Sequence, residues 1–336
     1  MNPRRPRGDA ALGGNRSRLH PVRRTGLVLS LGLMLVTGTL VWSAVPASAR
    51  FFRPAAKPPV YVALGDSFTS GPDVPTQLDA ATSPRAPASC MRSSRNYPSL
   101  VARALGLTLR DMSCSGATTK DLTSPQGPGI PAQLNALGPR TAVVSVGIGG
   151  NDLGFGTIAH NCLAASPWGA TRVGWSCASH YTAGGDDQLA GRVQQDGVRV
   201  SSSLEEIRAR APHARVFVIG YPDIIPATGS GCWPRLPFSD HDVAYLRSVE
   251  DLLNATLAGD AVRSGATFVD MATPSATHAS CASAATRWVE PVIPSRGTFP
   301  LHPSAAGMAG MARVLSAAMS HAGVDPSRRT VLTHAS

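Results

Sequence analysis

Lysine is nearly absent from this chain. Only Lys57 and Lys120 occur in 336 residues, so arginine carries the positive charge, a pattern that reflects a coding bias rather than a binding surface. Charged residues reach only 15% against 43% apolar ones and no low-complexity tract dominates, which excludes global disorder. The formal net charge of +10 is also unevenly placed. Residues 1–49 hold seven Arg and one acid, Asp9, whereas the rest of the chain sets 24 basic groups against 20 acidic ones, a net of only +4. That balance does not indicate a nucleic-acid binder. Neither Cys-x-x-Cys nor His-x-x-x-His spacing occurs, which weighs against a zinc site. Beyond residue 49 there is no apolar run fit to cross a membrane, no internal repeat and no mark of a second domain boundary.

What is present begins with a leader. A basic stretch ending Arg23-Arg24 precedes an apolar run from Gly26 to Val45, and Ala47-Ser48-Ala49 supplies the small residues a signal peptidase needs. Residues 1–49 read as an export signal cut after Ala49. A run of about 20 residues could also serve as a retained anchor, but Gly, Ser and Thr dilute it and Ala-x-Ala follows at once. The Arg pair is a loose match to a twin-arginine signal. All six cysteines lie beyond the leader, and an even number in an exported chain suggests three disulfides. Six cysteines allow many pairings. The sequential one is favoured, Cys90–Cys114, Cys162–Cys177 and Cys232–Cys281, because each pair then closes a loop region adjoining the same end of the fold.

Along the remaining chain, strand-like runs alternate with helix-like ones. Residues 59–64, 107–112, 141–147, 214–220 and 266–270 read as strands, the first of them, short, apolar and bounded by Pro and Gly, as a buried one. Helical patterns cover 96–105, with Asn96 as cap, 187–210, 239–264 and a last helix from Pro303 to Ala322. Alternation of this kind predicts a parallel sheet with helices on both faces, in one domain over residues 50–336 with its core at about 58–322. The gaps at 72–95, 159–185 and 271–301 are loop-rich, and each holds at least one cysteine. Tethered loops around a site are expected there.

The first strand runs into Gly65-Asp66-Ser67-Phe68-Thr69-Ser70-Gly71. In an open parallel sheet, reactive groups collect beyond the carboxyl ends of the strands. Ser67 stands there, in a turn whose glycines permit a tight backbone path. Alone this is a weak signal, because Gly, Asp and Ser are ordinary turn residues. Three further elements fall on the same rim: Cys114-Ser115-Gly116-Ala117, Gly149-Gly150-Asn151-Asp152, and His302-Pro303 at the start of the last helix. Acyl transfer needs a hydroxyl nucleophile, an imidazole base and donors aimed at a developing oxyanion. Ser67, His302, Gly116 and Asn151 supply that set.

With Gly-Asp-Ser at 65–67, the glycine at 116, Gly-Gly-Asn-Asp at 149–152 and His302-Pro303 in this order, the chain resembles the SGNH (GDSL) hydrolases. It looks closest to their exported actinobacterial lipases and esterases, which share the sequential three-disulfide plan. The motifs span residues 60–310. The resemblance implies a flavodoxin-like, three-layer α/β/α fold with a five-stranded parallel sheet, and hydrolysis of carboxylic esters without a cofactor or metal. It implies Ser67 as nucleophile, His302 as base, and Ser67, Gly116 and Asn151 as the oxyanion hole. Phospholipase A and carbohydrate deacetylase activities belong to the same fold. An exported binding protein with a dead site is the alternative of another class. A secreted monomer is expected, acting on an ester or lipid, touching a lipid interface transiently and binding no nucleic acid.

One position departs from the family pattern. An Asp often stands three residues before the histidine, and here that residue is Phe299. A backbone carbonyl at Phe299 or Pro300 is the natural substitute for orienting the imidazole, with Asp270 as the remote competitor. Blander roles exist for each residue. Asn151 could cap a helix beginning near Asp152, and Gly116 could serve only a turn. Asp66 and Asp152 are expected to organise turns rather than react. His160, His180, His213, His241 and His278 read as solvated or structural, and Met308 and Met311 as the core face of the last helix.

Overall fold

The structure, a computed structural model, describes residues 57–79, 87–164, 176–227 and 229–324. The leader and its cleavage position lie outside the described residues. Five strands form one parallel sheet: β1 (Val60–Gly65), β2 (Thr108–Asp111), β3 (Thr141–Gly147), β4 (Arg215–Ile219) and β5 (Thr267–Val269), in the order β2-β1-β3-β4-β5. The central strands are buried nearly throughout, β1 and β3 alike, as strands covered on both faces must be. Their sequences, Val-Tyr-Val-Ala-Leu-Gly and Thr-Ala-Val-Val-Ser-Val-Gly, are therefore continuously apolar rather than alternating. The hydroxyl of Tyr61 is satisfied inside the sheet by Ser145 Oγ at 2.7 Å.

Five longer helices complete the layers: α1 (Tyr97–Ala104), α2 (Phe155–Ala164), α3 (Gln188–Arg210), α4 (Asp240–Ser264) and α5 (Ala305–His321). Each start is fixed by a side chain that satisfies an orphan amide where the sequence provides one. Asn96 Oδ1 accepts from Ser99 N, Asp187 from Leu189 N and Ala190 N, and Ser239 Oγ from Asp242 N. From β1 the sheet grows one way through α1 to β2 and the other way through α3 and α4 to β5. Right-handed crossovers thus put α1 on one face and the packed pair α3–α4 on the other, and α5 packs on α1. Leu189, Leu204 and Ile207 of α3 and Met308 and Met311 of α5 are buried, each burial stabilising by about 1.5–3 kcal/mol. The expected five-stranded α/β sandwich is the fold observed.

Three local expectations need correction. The last helix does not begin at Pro303: Val289 and Pro303 form an antiparallel bridge that keeps Pro303 extended, and Ser304 caps α5 through Gly307 N at 3.2 Å. The gap at 159–185 is partly helical, because α2 runs to Ala164 and a short helix spans Cys177–Tyr181. Asn151 does not cap a helix. It lies inside the single turn Gly150–Leu153, whose start at Gly149 has no side-chain cap. The cysteines pair as Cys90–Cys114, Cys162–Cys177 and Cys232–Cys281.

Candidate active site

β1 and β3 lie side by side at the point where the direction of sheet growth reverses, and both leave a rim at their carboxyl ends. At the end of β1, Gly65 has φ +151°, and any side chain there would collide with Thr69 and the Gly147 carbonyl. Its peptide groups are held by one buried side chain. Gly65 N donates to Gln133 Oε1 at 2.8 Å, and Gln133 Nε2 returns a bond to Gly65 O at 3.0 Å. Asp66 Oδ1 then accepts from Phe68 N at 2.8 Å and caps the one-turn helix Ser67–Ser70. Ser67 is thereby the first residue of a turn. Among the described residues its N–H makes no hydrogen bond, as befits a first-turn donor.

Ser67 Oγ meets His302 Nε2 at 2.8 Å, across 235 residues of sequence. On the other side of the ring, His302 Nδ1 lies 2.7 Å from Pro300 O. A carbonyl only accepts, so Nδ1 carries the proton and Nε2 is left as the acceptor for the serine hydroxyl. The ring packs between Phe68 and Phe299, with centroids 5.0 Å away in each case, and Phe155 lies 6.0 Å off. Burial among these rings holds the imidazole down to about 4, with the Pro300 hydrogen bond opposing the shift. The imidazole is neutral at physiological pH.

The loop behind His302 is tied in several places. Glu290 N donates to His302 O at 3.0 Å, and Ser304 N to Trp288 O at 2.7 Å. Beneath them Arg287, fully buried, pairs with Glu290 at 2.6 Å and with Ser295. Leu301 takes φ +57°, a left-handed conformation that costs a leucine about 1–3 kcal/mol and turns the chain sharply just before the histidine. Asp270 is remote from this arrangement. It is exposed and accepts from Ala272 N and Thr273 N at 2.9 and 3.2 Å.

The two remaining motifs are fastened to each other. Asn151 Nδ2 donates one of its protons to Ala117 O at 2.9 Å, leaving the second available. Thr119 N and Oγ1 donate to the two oxygens of Asp152 at 2.8 and 2.6 Å. Gly116 sits in the turn so fixed, at φ +78°, and among the described residues its N–H makes no hydrogen bond. Cys114 N bonds Gly65 O at 3.0 Å, which ties the same turn to the end of β1. Ser67 and Asn151 line one cleft together with Asp66 and Gly150.

That cleft encloses about 760 Å³ counting its open mouth. Phe68, Leu153, Phe155 and Ile158 line it, as do Leu246, Val249 and Leu253 of α4. Phe238, Ile224 and Leu301 close the lining. Glu250 is the buried acid in this wall, its oxygens accepting from Ile224 N and Ile225 N at 2.8 and 3.2 Å while burial raises it to about 8. Asp66 is likewise lifted to about 7 by burial, against the pull of Tyr221 O–H, which donates to its Oδ2 at 2.5 Å. Gln133 and Tyr221 were not singled out by the sequence. Gln133 is an isolated polar residue in a loop, and only the place of Tyr221 just past β4 could have drawn notice.

Comparison with known proteins adds to this geometry. Residues 63–309 match the GDSL-like lipase/acylhydrolase family. Lipase 2 of Streptomyces coelicolor is 37% identical over 279 residues, 82% of this chain and 91% of that protein. Two crystal structures share the fold at a TM-score of 0.63. One is the extracellular lipase of Streptomyces rimosus, 29% identical, over 77% of this chain and 99% of that chain. The other is phospholipase A1 of Streptomyces albidoflavus, 27% identical with the same coverage.

Proposed function

The chain belongs to the GDSL-like lipase/acylhydrolase family and is an ester hydrolase, and from that premise we propose that it works through an acyl-enzyme on Ser67. The observation that carries this reading is the relay Ser67 Oγ to His302 Nε2 at 2.8 Å and His302 Nδ1 to Pro300 O at 2.7 Å. His302 takes the hydroxyl proton as Oγ attacks the ester carbonyl. The carbonyl oxygen becomes an oxyanion that accepts from Ser67 N, Gly116 N and Asn151 Nδ2. His302 passes its proton to the leaving alcohol, and water then enters by the same base to release the acid. Side chains and backbone suffice for each step, so no cofactor is required.

The apolar cleft beside Ser67 favours an acyl chain longer than acetyl, which sets a lipase or esterase above a carbohydrate deacetylase. Phospholipid hydrolysis is the second reading, favoured by likeness to the albidoflavus phospholipase A1. Exposed Trp233, Ile293 and Phe299 offer apolar surface for brief contact with a lipid interface. The leader, cut after Ala49, and the six cysteines support secretion. Among the described residues no helix is long and apolar enough to cross a membrane.

The test is turnover of p-nitrophenyl esters from acetate to palmitate, beside phospholipid and acetylated-sugar substrates, by the wild type and Ser67→Ala. A small buried hydroxyl contributes little to the core, so Ser67→Ala should fold normally and be inactive. Near-wild-type turnover in that variant overturns the acyl-enzyme. No turnover of any ester by the wild type would favour a binding protein.

A further inference from the structure

The three candidate oxyanion donors come from separate segments of chain, and their value depends on mutual placement to within about 0.5 Å. A backbone bond from Asp66 N to Gly147 O at 3.1 Å sets the register at the strand ends. Past that point the nucleophile turn and the Gly149-Gly150-Asn151 block diverge, and one side chain spans them. Tyr221 OH accepts from Gly150 N at 2.9 Å and donates to Asp66 Oδ2 at 2.5 Å. Ser67 directly follows Asp66, and Asn151 directly follows Gly150. Among the described residues, no other side chain hydrogen-bonds both segments.

Tyr221 is itself firmly held. Its N–H donates to Asn254 Oδ1 at 2.8 Å, and Asn254 Nδ2 donates to its carbonyl at 3.0 Å, so α4 grips its backbone from both sides. Its ring meets Phe68 edge-on at 5.0 Å and is buried. A hydroxyl offers one proton and two lone pairs, and this one is aimed by a ring with little freedom. Gly150 adds a steric reason for the same geometry, because a Cβ there would stand 3.1 Å from the Tyr221 hydroxyl.

We propose that Tyr221 is a positioning residue for ester hydrolysis, its hydroxyl keeping Ser67 N–H and the Asn151 amide in register around the oxyanion. This rests on the reading of Ser67 and Asn151 as donors. It goes beyond that reading by assigning the task of alignment to a residue that touches neither the substrate's carbonyl nor the transferred proton.

The experiment compares Tyr221→Phe, Asn151→Ala and the double variant on one soluble ester, with kcat, KM and unfolding midpoint for each. Tyr221→Phe keeps the ring and the cleft wall, so KM should hold while kcat falls by about ten-fold, within the range that misplacing a reacting group costs. A residue acting through the donors has nothing left to align once a donor is gone. The double variant should therefore be little slower than Asn151→Ala alone, whereas fully multiplied losses overturn the proposal. A lowered unfolding midpoint with unchanged kcat also overturns it, since that marks a merely structural role. Should Tyr221→Phe fail to fold, Asp66→Ser takes its place. It keeps a capping acceptor for Phe68 N but is too short to reach the phenol, and it should show the same loss confined to kcat. Wild-type kcat there overturns the proposal. An impaired Asn151→Ala beside an unimpaired Tyr221→Phe removes the Tyr221 role alone. An unimpaired Asn151→Ala removes the oxyanion reading and this inference with it.

Discussion

The carbonyl oxygen of Pro300 lies 2.7 Å from Nδ1 of His302 and only two residues away in the chain. The left-handed turn at Leu301 makes so short a loop possible. A carbonyl fixes the tautomer as a carboxylate would, but it brings no negative charge to stabilise the imidazolium. The position three residues before the histidine is Phe299, whose ring packs edge-on against the imidazole at 5.0 Å. Apolar packing and a backbone acceptor together occupy the place of the family's usual acid.

Removal of any single carboxylate should therefore cost far less than removal of the histidine. Asp270→Asn is the sharpest case, because Asp270 is exposed and among the described residues hydrogen-bonds to Ala272 N and Thr273 N. Its kcat should stay close to that of the wild type. Loss of a true triad aspartate costs about 10⁴-fold. A drop of that size in Asp270→Asn, with the fold intact, would show that the Pro300 carbonyl is not the orienting group.

Burial holds His302 down to about 4, and in the proposed mechanism the imidazole must be neutral to act. The sign follows directly: kcat/KM for a soluble ester should fall as pH drops through about 4, and should not fall near the ordinary imidazole value of 6.5. Asp66, lifted to about 7, is the raised acid next to Ser67, and its titration adds any step nearest the ordinary imidazole value. The profile should accordingly be measured in Asp66→Asn as well. An acid limb near 6.5 that persists in that variant would mean that the ring titrates as an exposed imidazole.

Much of this arrangement is legible in the sequence, and the illegible part has a physical reason. The three inner strands announce themselves as short apolar runs because both faces of the sheet are covered there, the edge strands β2 and β5 less clearly, and the caps Asn96, Asp187 and Ser239 mark helix starts that local chemistry alone dictates. The four motifs stand at strand ends in the sequence and meet at one rim in the fold. Residues whose role arises only from long-range packing leave no local trace. Tyr221 reaches Asp66 across 155 residues, and Gln133 reaches Gly65 across 68. The walls of the cleft are equally silent, because the faces of α2 and α4 that line it carry the same apolar side chains as the faces that pack on the sheet. Pro303 misled the placement of the last helix: its fixed φ suits a first helical turn, but pairing with Val289 outweighs that preference.

The cleft itself predicts a size limit that can be moved. Ile158 on α2 is buried and lines the cleft. Ile158→Trp should shorten the accessible channel while leaving the reacting groups in place. Its kcat/KM for long-chain p-nitrophenyl esters should fall by about ten-fold or more relative to the acetate ester, the scale on which a pocket discriminates by methylene count. Equal losses on acetate and palmitate esters would show that the acyl chain lies elsewhere.

One buried acid beneath the Asn151 block plays no part in the proposed mechanism. Asp196, on α3, is fully buried, and neither carboxylate oxygen has a hydrogen-bond partner among the described residues. It lies directly beneath Gly149, where any Cβ would strike its Oδ2, so its state is felt at the base of the Asn151 block. Burial raises it from 3.8 to about 8, with the nearby charge of Asp152 adding to the shift and Arg199 opposing it. Between those two values the unfolded chain carries the carboxylate while the folded protein keeps the acid neutral, so the folded state binds the extra proton. Stability from this group is complete below pH 3.8 and is lost as pH rises towards 8. Asp196→Asn keeps the shape but cannot titrate. Its unfolding free energy, measured in denaturant, should decline less than that of the wild type from pH 5 to pH 8. Parallel stability curves for the two proteins across that range would show that Asp196 ionises in the folded state as an ordinary carboxylate.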